Sequence, residues 1–284
     1  MTNAMFPVGA KEQAASLAHQ GSAWVRWLAR IGFAARAVVY TVVGLLAAKL
    51  ALGDGGQATD ATGAMRSLLR QPLGEVIMAV LAVGFFGYAL WRFVEAIVDP
   101  EQRGTDAKGL ALRAGYVGRA AIYVALGMQA TRMLLGDATA EGADARQELT
   151  VKAMSEPWGV WVVGAVGAGI LGYGAYQLYR AWKAKIDKRL DLSALPSEAA
   201  ERAVISIGRF GIAARGVVFG TVGVLFIRAA MEEDPSEAGG IGESLRTLLD
   251  QPKGVWLLAV VGVGLIAYGV YQALEARYRR IYLQ

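Results

Sequence analysis

The sequence predicts an all-α membrane protein: six transmembrane helices, set as three parallel two-helix repeats with pseudo-threefold symmetry and both termini cytoplasmic. Three observations carry this expectation. The segment Arg30-Ile31-Gly32-Phe33-Ala34-Ala35-Arg36 returns as Arg113-Ala114-Gly115-Tyr116-Val117-Gly118-Arg119 and again as Arg209-Phe210-Gly211-Ile212-Ala213-Ala214-Arg215. Each copy opens an apolar stretch, and each is followed, after a polar interval, by a second apolar stretch that begins at Pro72, Pro157 or Pro252. Charge is nearly absent from the second stretches: residues 73–91 hold only Glu75, and residues 157–179 and 254–274 hold none. A bilayer core takes about 20 residues of helix, so uncharged apolar runs of this length read as spans.

The first span is placed near residues 31–52 and closed by Gly53-Asp54-Gly55-Gly56. The second runs near 73–97, before Asp99-Pro100. The third is near 114–135, closed by Gly136-Asp137, and the fourth is near 157–181. The last two lie near 208–230 and 253–275. The repeats are bounded as 24–100, 101–185 and 186–284, behind a polar N-terminal segment of residues 1–23. The prolines stand 85 and then 95 residues apart, and the extra length falls in the linker 182–204, where insertion is tolerated. Before each proline lies a short amphipathic pattern, such as Met65-Arg66-Ser67-Leu68-Leu69, which predicts one or two helical turns lying in the outer interface. The proline is then expected in the first turn of the next helix, where its missing N–H costs nothing.

Two spans per unit give every unit the same orientation, so these are parallel rather than inverted repeats. The termini and inter-repeat linkers, with their span ends, carry 20 Lys and Arg, and the three loops within repeats carry 9. Acidic residues run the other way, 10 against 14. The basic side is expected to be cytoplasmic. The linker from Arg180 to Arg202, with Lys183, Lys185, Lys188 and Arg189, is the most basic segment and could meet anionic lipid headgroups.

Composition narrows the chemistry. The 284 residues are 55% hydrophobic and 19% charged, where a soluble domain would hold nearer a quarter charged. There is no cysteine, which removes disulfides, thiolate metal sites and thiol nucleophiles. The single histidine, His19, lies outside every span, so histidine metal clusters and Ser-His catalysis are absent by inventory. No metal, no cofactor and no enzymatic activity are expected. No leader is apparent in the first 20 residues. The net charge of +5 reflects residues flanking spans, and no nucleic-acid partner is expected.

The odd-numbered spans share Gly-x-x-x-Arg-x-x-x-aromatic: Gly32, Arg36, Tyr40; Gly115, Arg119, Tyr123; Gly211, Arg215, Phe219. A spacing of four places all three on one helix face. Arg36, Arg119 and Arg215 either snorkel to the inner interface as structural residues or form a ring of cations able to hold phosphate or carboxylate. The even-numbered spans share Pro-x-Gly, then Gly-x-x-x-Tyr: Gly84 with Tyr88, Gly169 with Tyr173, Gly264 with Tyr268. The glycines Gly32, Gly115, Gly211, Gly84, Gly169 and Gly264 mark close helix packing. Because the helices of a pair run antiparallel, Tyr88, Tyr173 and Tyr268 can meet the arginines. Glu95, Arg180 and Glu275 share a register and are expected to form salt bridges at the rim. No carboxylate lies at mid-span, so a proton relay is not expected.

The threefold unit, with Arg-x-Gly-x-x-[Ala/Gly]-Arg opening one span and Pro-x-Gly the next, resembles the bacterial "domain of unknown function 1206" family over about residues 24–281. The resemblance implies a bacterial integral membrane protein of three two-span repeats, hence a multi-pass protein of the cytoplasmic (inner) membrane, and brings no activity or ligand. Phe219 replaces the tyrosine, Ala267 the glycine, and Arg92 stands where the other copies have Gln177 and Gln272, so the symmetry is chemically broken. The functional expectation is a non-enzymatic lipid-binding or scaffold module, whose candidate partners are membrane lipids and other membrane subunits. The alternative is an anion channel or transporter using the arginine triplet.

Overall fold

The computed structural model describes residues 8–98, 106–136, 142–183, 190, 191, 193 and 195–278. Within them the chain is helical: α1 (Val8–Leu52), α2 (Ala61–Leu69), α3 (Gly74–Val98), α4 (Ala107–Leu134), α5 (Gly142–Met154), α6 (Gly159–Lys183), α7 (Glu198–Glu232), α8 (Ile241–Leu249) and α9 (Gly254–Tyr278), with a 3-10 turn at Pro235–Glu237. Each repeat is therefore a long helix, a short helix and a second long helix. Five stretches are long and apolar enough to cross a membrane, in α1, α3, α6, α7 and α9. The helix α4 is not among them; it carries Arg119 and Gln129 in its central stretch. The boundary expected at residue 24 falls inside α1, which runs through it unbroken. Asp99, Pro100, Lys185, Lys188 and Arg189 lie outside the described residues.

The Pro-x-Gly signature makes a turn rather than a helix start. Gly74 N–H donates to the Gln71 carbonyl at 2.9 Å, Gly159 to Glu156 at 2.8 Å and Gly254 to Gln251 at 2.7 Å, so each proline is the second residue of a four-residue reverse turn. Leu73 and Lys253, the residues after Pro72 and Pro252, take the left-handed conformation, with φ of 63° and 64°. Glycine follows because the chain passes under the short helix just completed. A Cβ on Gly74, Gly159 or Gly254 would lie 2.1, 1.7 or 1.8 Å from the carbonyl oxygen of Leu69, Ala153 or Leu249.

The short helices α2 and α8 depart from the interfacial placement read from their amphipathic pattern, whereas α5 leaves Leu149 and Val151 exposed. Ala64 and Met65 of α2 and Leu245 of α8 are wholly buried and join the main apolar core with Met78, Leu81, Phe85, Leu258 and Leu265. They fill one end of the bundle. Asp60 caps α2, its carboxylate accepting from the N–H groups of Thr62 and Gly63.

The tightest helix pairs join neighbouring repeats: α3 with α4, α6 with α7, and α9 with α1. At the end opposite the short helices, arginines that open the repeated motif cap the preceding helix. Arg113 Nε donates to the Ala96 carbonyl at 2.6 Å and Arg209 Nε to the Ala181 carbonyl at 3.0 Å, covering the last turns of α3 and α6. Within repeats, α1 packs on α3 and α7 packs on α9, whereas α4 and α6 touch at most glancingly. The six long helices therefore follow one another as α4, α3, α1, α9, α7, α6, an arc whose two ends do not close.

Candidate functional site

The arc encloses a cavity of about 980 Å³ with walls from every long helix. Each wall presents the arginine or the aromatic residue of its repeated motif. Arg36, Arg119 and Arg215 all line it, as do Tyr88, Tyr173 and Tyr268. Arg36 lies seven residues into the apolar stretch of α1, about 10 Å along its axis. It does not snorkel: it is 6% exposed and turned inward, donating Nη1 to the Tyr88 hydroxyl and Nη2 to the Tyr268 hydroxyl, both at 2.7 Å. Arg215, half-buried, donates Nε to Tyr40 at 3.0 Å and Nη1 to Tyr173 at 2.9 Å. Arg119 makes no hydrogen bond or ion pair among the described residues. Its guanidinium lies over the rings of Tyr116, at 5.7 Å, and Tyr173, at 6.0 Å.

The tyrosines are held by an aromatic contact made three times. Tyr268 meets Tyr40 edge-on with centroids 4.7 Å apart, Tyr88 meets Tyr123 at 4.5 Å, and Tyr173 meets Phe219 at 5.4 Å. In each case the tyrosine of an even-numbered span meets the motif aromatic of the following odd-numbered span. Edge-to-face pairs fix ring orientation, which here aims the hydroxyls at the guanidinium groups.

Arg92 was legible only as a break in symmetry, yet it belongs to the cluster. It is buried, donates Nε to the Tyr88 hydroxyl at 2.7 Å and pairs through Nη1 with Glu95. Two cations thus converge on one phenol oxygen. The signal was present in the four-residue spacing of Tyr88 and Arg92, which puts both on one face. Gln129, Tyr40 and Tyr123 also line the cavity. Among the described residues, Glu95, Arg180 and Glu275 do not form the salt bridges expected at the rim with one another. Glu95 pairs with Arg92 on its own helix, Arg180 donates to Gln177 at 3.1 Å, and Glu275 accepts from Gln272 at 2.7 Å.

The charge balance is one-sided. Five arginines line the cavity (36, 92, 119, 180 and 215), against Asp60 and Glu275. No carboxylate pairs with Arg36, Arg119 or Arg215 among the described residues. Phenol oxygens accept the N–H groups of Arg36 and Arg215 but do not neutralise their charge. A buried cation without a counter-charge costs several kcal/mol, and charge within a membrane span marks function. Two buried polar atoms on the cavity wall lack a partner, Arg36 Nε and Gln272 Oε1. Among the described residues no group of acidic or histidine side chains could hold a metal.

The predicted packing glycines divide into two sets. An added Cβ on Gly32 would lie 2.4 Å from the Tyr88 Cβ, and on Gly84 2.6 Å from the Ala35 Cβ. In the third repeat the same additions put Gly211 2.4 Å from the Tyr268 amide and Gly264 2.3 Å from the Ala214 Cβ. In the second repeat Gly115, Gly118, Gly169 and Gly172 have nothing within 4 Å. The same sequence feature therefore makes two closed seams and one open one. Only 22% of the apolar window of α6 is buried, against 44–56% in the other four.

The sequence model of a family described as "Domain of Unknown Function (DUF1206)" matches this chain three times, at residues 31–99, 114–184 and 210–279. A curated protein of Bacillus subtilis (strain 168), named "Uncharacterized protein YxxB", is 30% identical over 262 residues, which is 91% of this chain and 92% of that protein. No solved structure matches.

Proposed function

The chain belongs to the DUF1206 family, and we propose that it is a non-enzymatic, multi-pass protein of a bacterial inner membrane that holds an anionic headgroup in its arginine–tyrosine cavity. The carrying observation is the uncompensated positive charge of Arg36, Arg119 and Arg215 around one cavity. Phosphate and carboxylate both suit these fork-shaped donors, and either would lower the cost of burying the cations. In this reading α4 is the sixth span, and the threefold repetition of the aromatic contact reflects a pseudo-threefold axis through the cavity. The termini and arginine ends are cytoplasmic, as the excess of Lys and Arg favours.

The test compares two sources of the same chemistry. Protein in phosphatidylcholine nanodiscs is titrated with phosphatidylglycerol in one arm and with inorganic phosphate in the other, and thermal unfolding is followed. A ligand at 100 times its Kd stabilises by about 2.7 kcal/mol. Wild type is expected to respond to the lipid, and Arg119→Gln and the triple variant Arg36→Gln/Arg119→Gln/Arg215→Gln to respond less. Response to phosphate alone would assign a free anion. Equal responses in wild type and both variants would overturn the reading.

A second reading, anion passage, draws on the same excess of cations. It requires a path past α2 and α8, where Ala64, Met65 and Leu245 are wholly buried. Liposome anion flux that is unchanged by Arg119→Ala removes it.

A further inference from the structure

We propose that α4 and α6 form a lateral door of the cavity. Through it the hydrocarbon tail of an anionic amphiphile passes, and the door closes by bringing Gly118 against Gly169. This rests on the headgroup site proposed above and adds the class of ligand and its route. Three independent features converge. The two ends of the helix arc fail to meet at this seam alone, and α5 goes with the α6 side: it packs on α6 and on the 3-10 turn at Pro235–Glu237, with at most glancing contact to α4, whereas α2 and α8 each pack on both long helices of their own repeat. The cavity reaches the seam, since Gly115 and Gly118 of α4 and Gly169 of α6 line it. Buried polar atoms inside it lack partners, at Arg36 Nε and Gln272 Oε1.

The edges of the opening are apolar and small. In a spanning pair they face hydrocarbon, which admits an alkyl chain and excludes a hydrated ion. An amphiphile entering sideways keeps its tail in the bilayer while its headgroup reaches the arginines. Closure needs no invented geometry, because the molecule contains it twice. Position 118 corresponds to Ala35 and Ala214, and position 169 to Gly84 and Gly264. Those pairs are in contact in the first and third repeats, and a Cβ built on Gly84 or Gly264 falls 2.6 or 2.3 Å from the partner Cβ. Arg119 already reaches across the seam to the Tyr173 ring at 6.0 Å, so a headgroup that draws Arg119 away loosens the contact between the two edges.

The chain has no cysteine, so Gly118→Cys/Gly169→Cys introduces its only two thiols. Both sites have open space in the present arrangement, and a disulfide needs Cβ atoms about 3.5–4.5 Å apart. In phosphatidylcholine nanodiscs, oxidation is expected to give an intramolecular disulfide, read as a reductant-sensitive gel shift. Including phosphatidylglycerol is expected to lower the yield at least threefold, and Arg119→Gln to blunt that protection. The single variant Gly169→Cys, labelled by a membrane-dissolved maleimide, is expected to react faster with phosphatidylglycerol present. No disulfide in either membrane, while thermal unfolding of wild type still responds to the lipid through the arginines, would overturn the door and leave the headgroup site intact. A disulfide that forms equally in both membranes, with that thermal response intact, would overturn passage of the tail. Loss of the arginine-dependent thermal response would overturn the headgroup reading itself.

Discussion

Replacing equivalent glycines by alanine should give opposite results in different repeats. At Gly32 an added Cβ lies 2.4 Å from the Tyr88 Cβ and 2.8 Å from its Cα, and at Gly211 it lies 2.4 Å from the Tyr268 amide nitrogen. Ordinary contact begins at 3.4 Å, so each seam must open by about 1 Å, and the obstacle is backbone or Cβ that no rotamer change removes. Overpacking of this kind costs about 1–3 kcal/mol. The better helix propensity of alanine returns up to about 1 kcal/mol. Gly32→Ala and Gly211→Ala are therefore expected to lose about 1–2 kcal/mol. Gly115→Ala, at the same motif position but with nothing within 4 Å, carries no clash and is expected to be neutral or stabilising by up to about 1 kcal/mol. The assay is reversible unfolding in nanodiscs followed by circular dichroism. The contrast of about 1–3 kcal/mol corresponds to roughly a 5- to 150-fold change in the folding equilibrium. Equal losses at all three positions would refute the open seam, because they would place α4 against α6.

Other substitutions probe the remaining devices. Arg119→Gln orphans no hydrogen-bond partner among the described residues; it loses the ring contacts with Tyr116 and Tyr173 and relieves an uncompensated cation, two effects of opposite sign, so unfolding free energy without anionic lipid is expected to change by less than about 1 kcal/mol. Arg113→Gln and Arg209→Gln each remove caps from a helix C-terminus and are expected to cost about 0.3–1 kcal/mol apiece, read in the same unfolding assay. Gly74→Ala and Gly254→Ala force a Cβ to within 2.1 and 1.8 Å of a carbonyl oxygen; unlike the seam glycines, they should fall with Gly159→Ala into one strongly destabilised class, seen as loss of monodisperse protein on size exclusion.

Family, helical class and the make-up of the cavity wall were legible in one dimension because they are repeated at constant offsets. A spacing of four puts Gly32, Arg36 and Tyr40 on one face whatever that face meets, and an uncharged run such as 254–274 can lie in hydrocarbon whatever its neighbours are. The proline was misplaced because Pro-x-Gly fits both a helix start and a reverse turn, and only the carbonyls of Leu69, Ala153 and Leu249 above the glycines decide between them. The short helices α2 and α8 were misplaced because an amphipathic stripe states that one face is buried without stating against what.

The sequence by itself determined three copies of one helical unit, with arginine, tyrosine and glycine at matching places in each. It could not determine whether the copies would be used alike. Local pattern is set by neighbours along the chain, and these are nearly the same in all three repeats. Closure of the arc is set by contacts between distant residues, and the last pair to meet has its ends fixed by all the others. Tertiary packing alone decided that Gly118 and Gly169 face open space while Ala35 meets Gly84 and Ala214 meets Gly264.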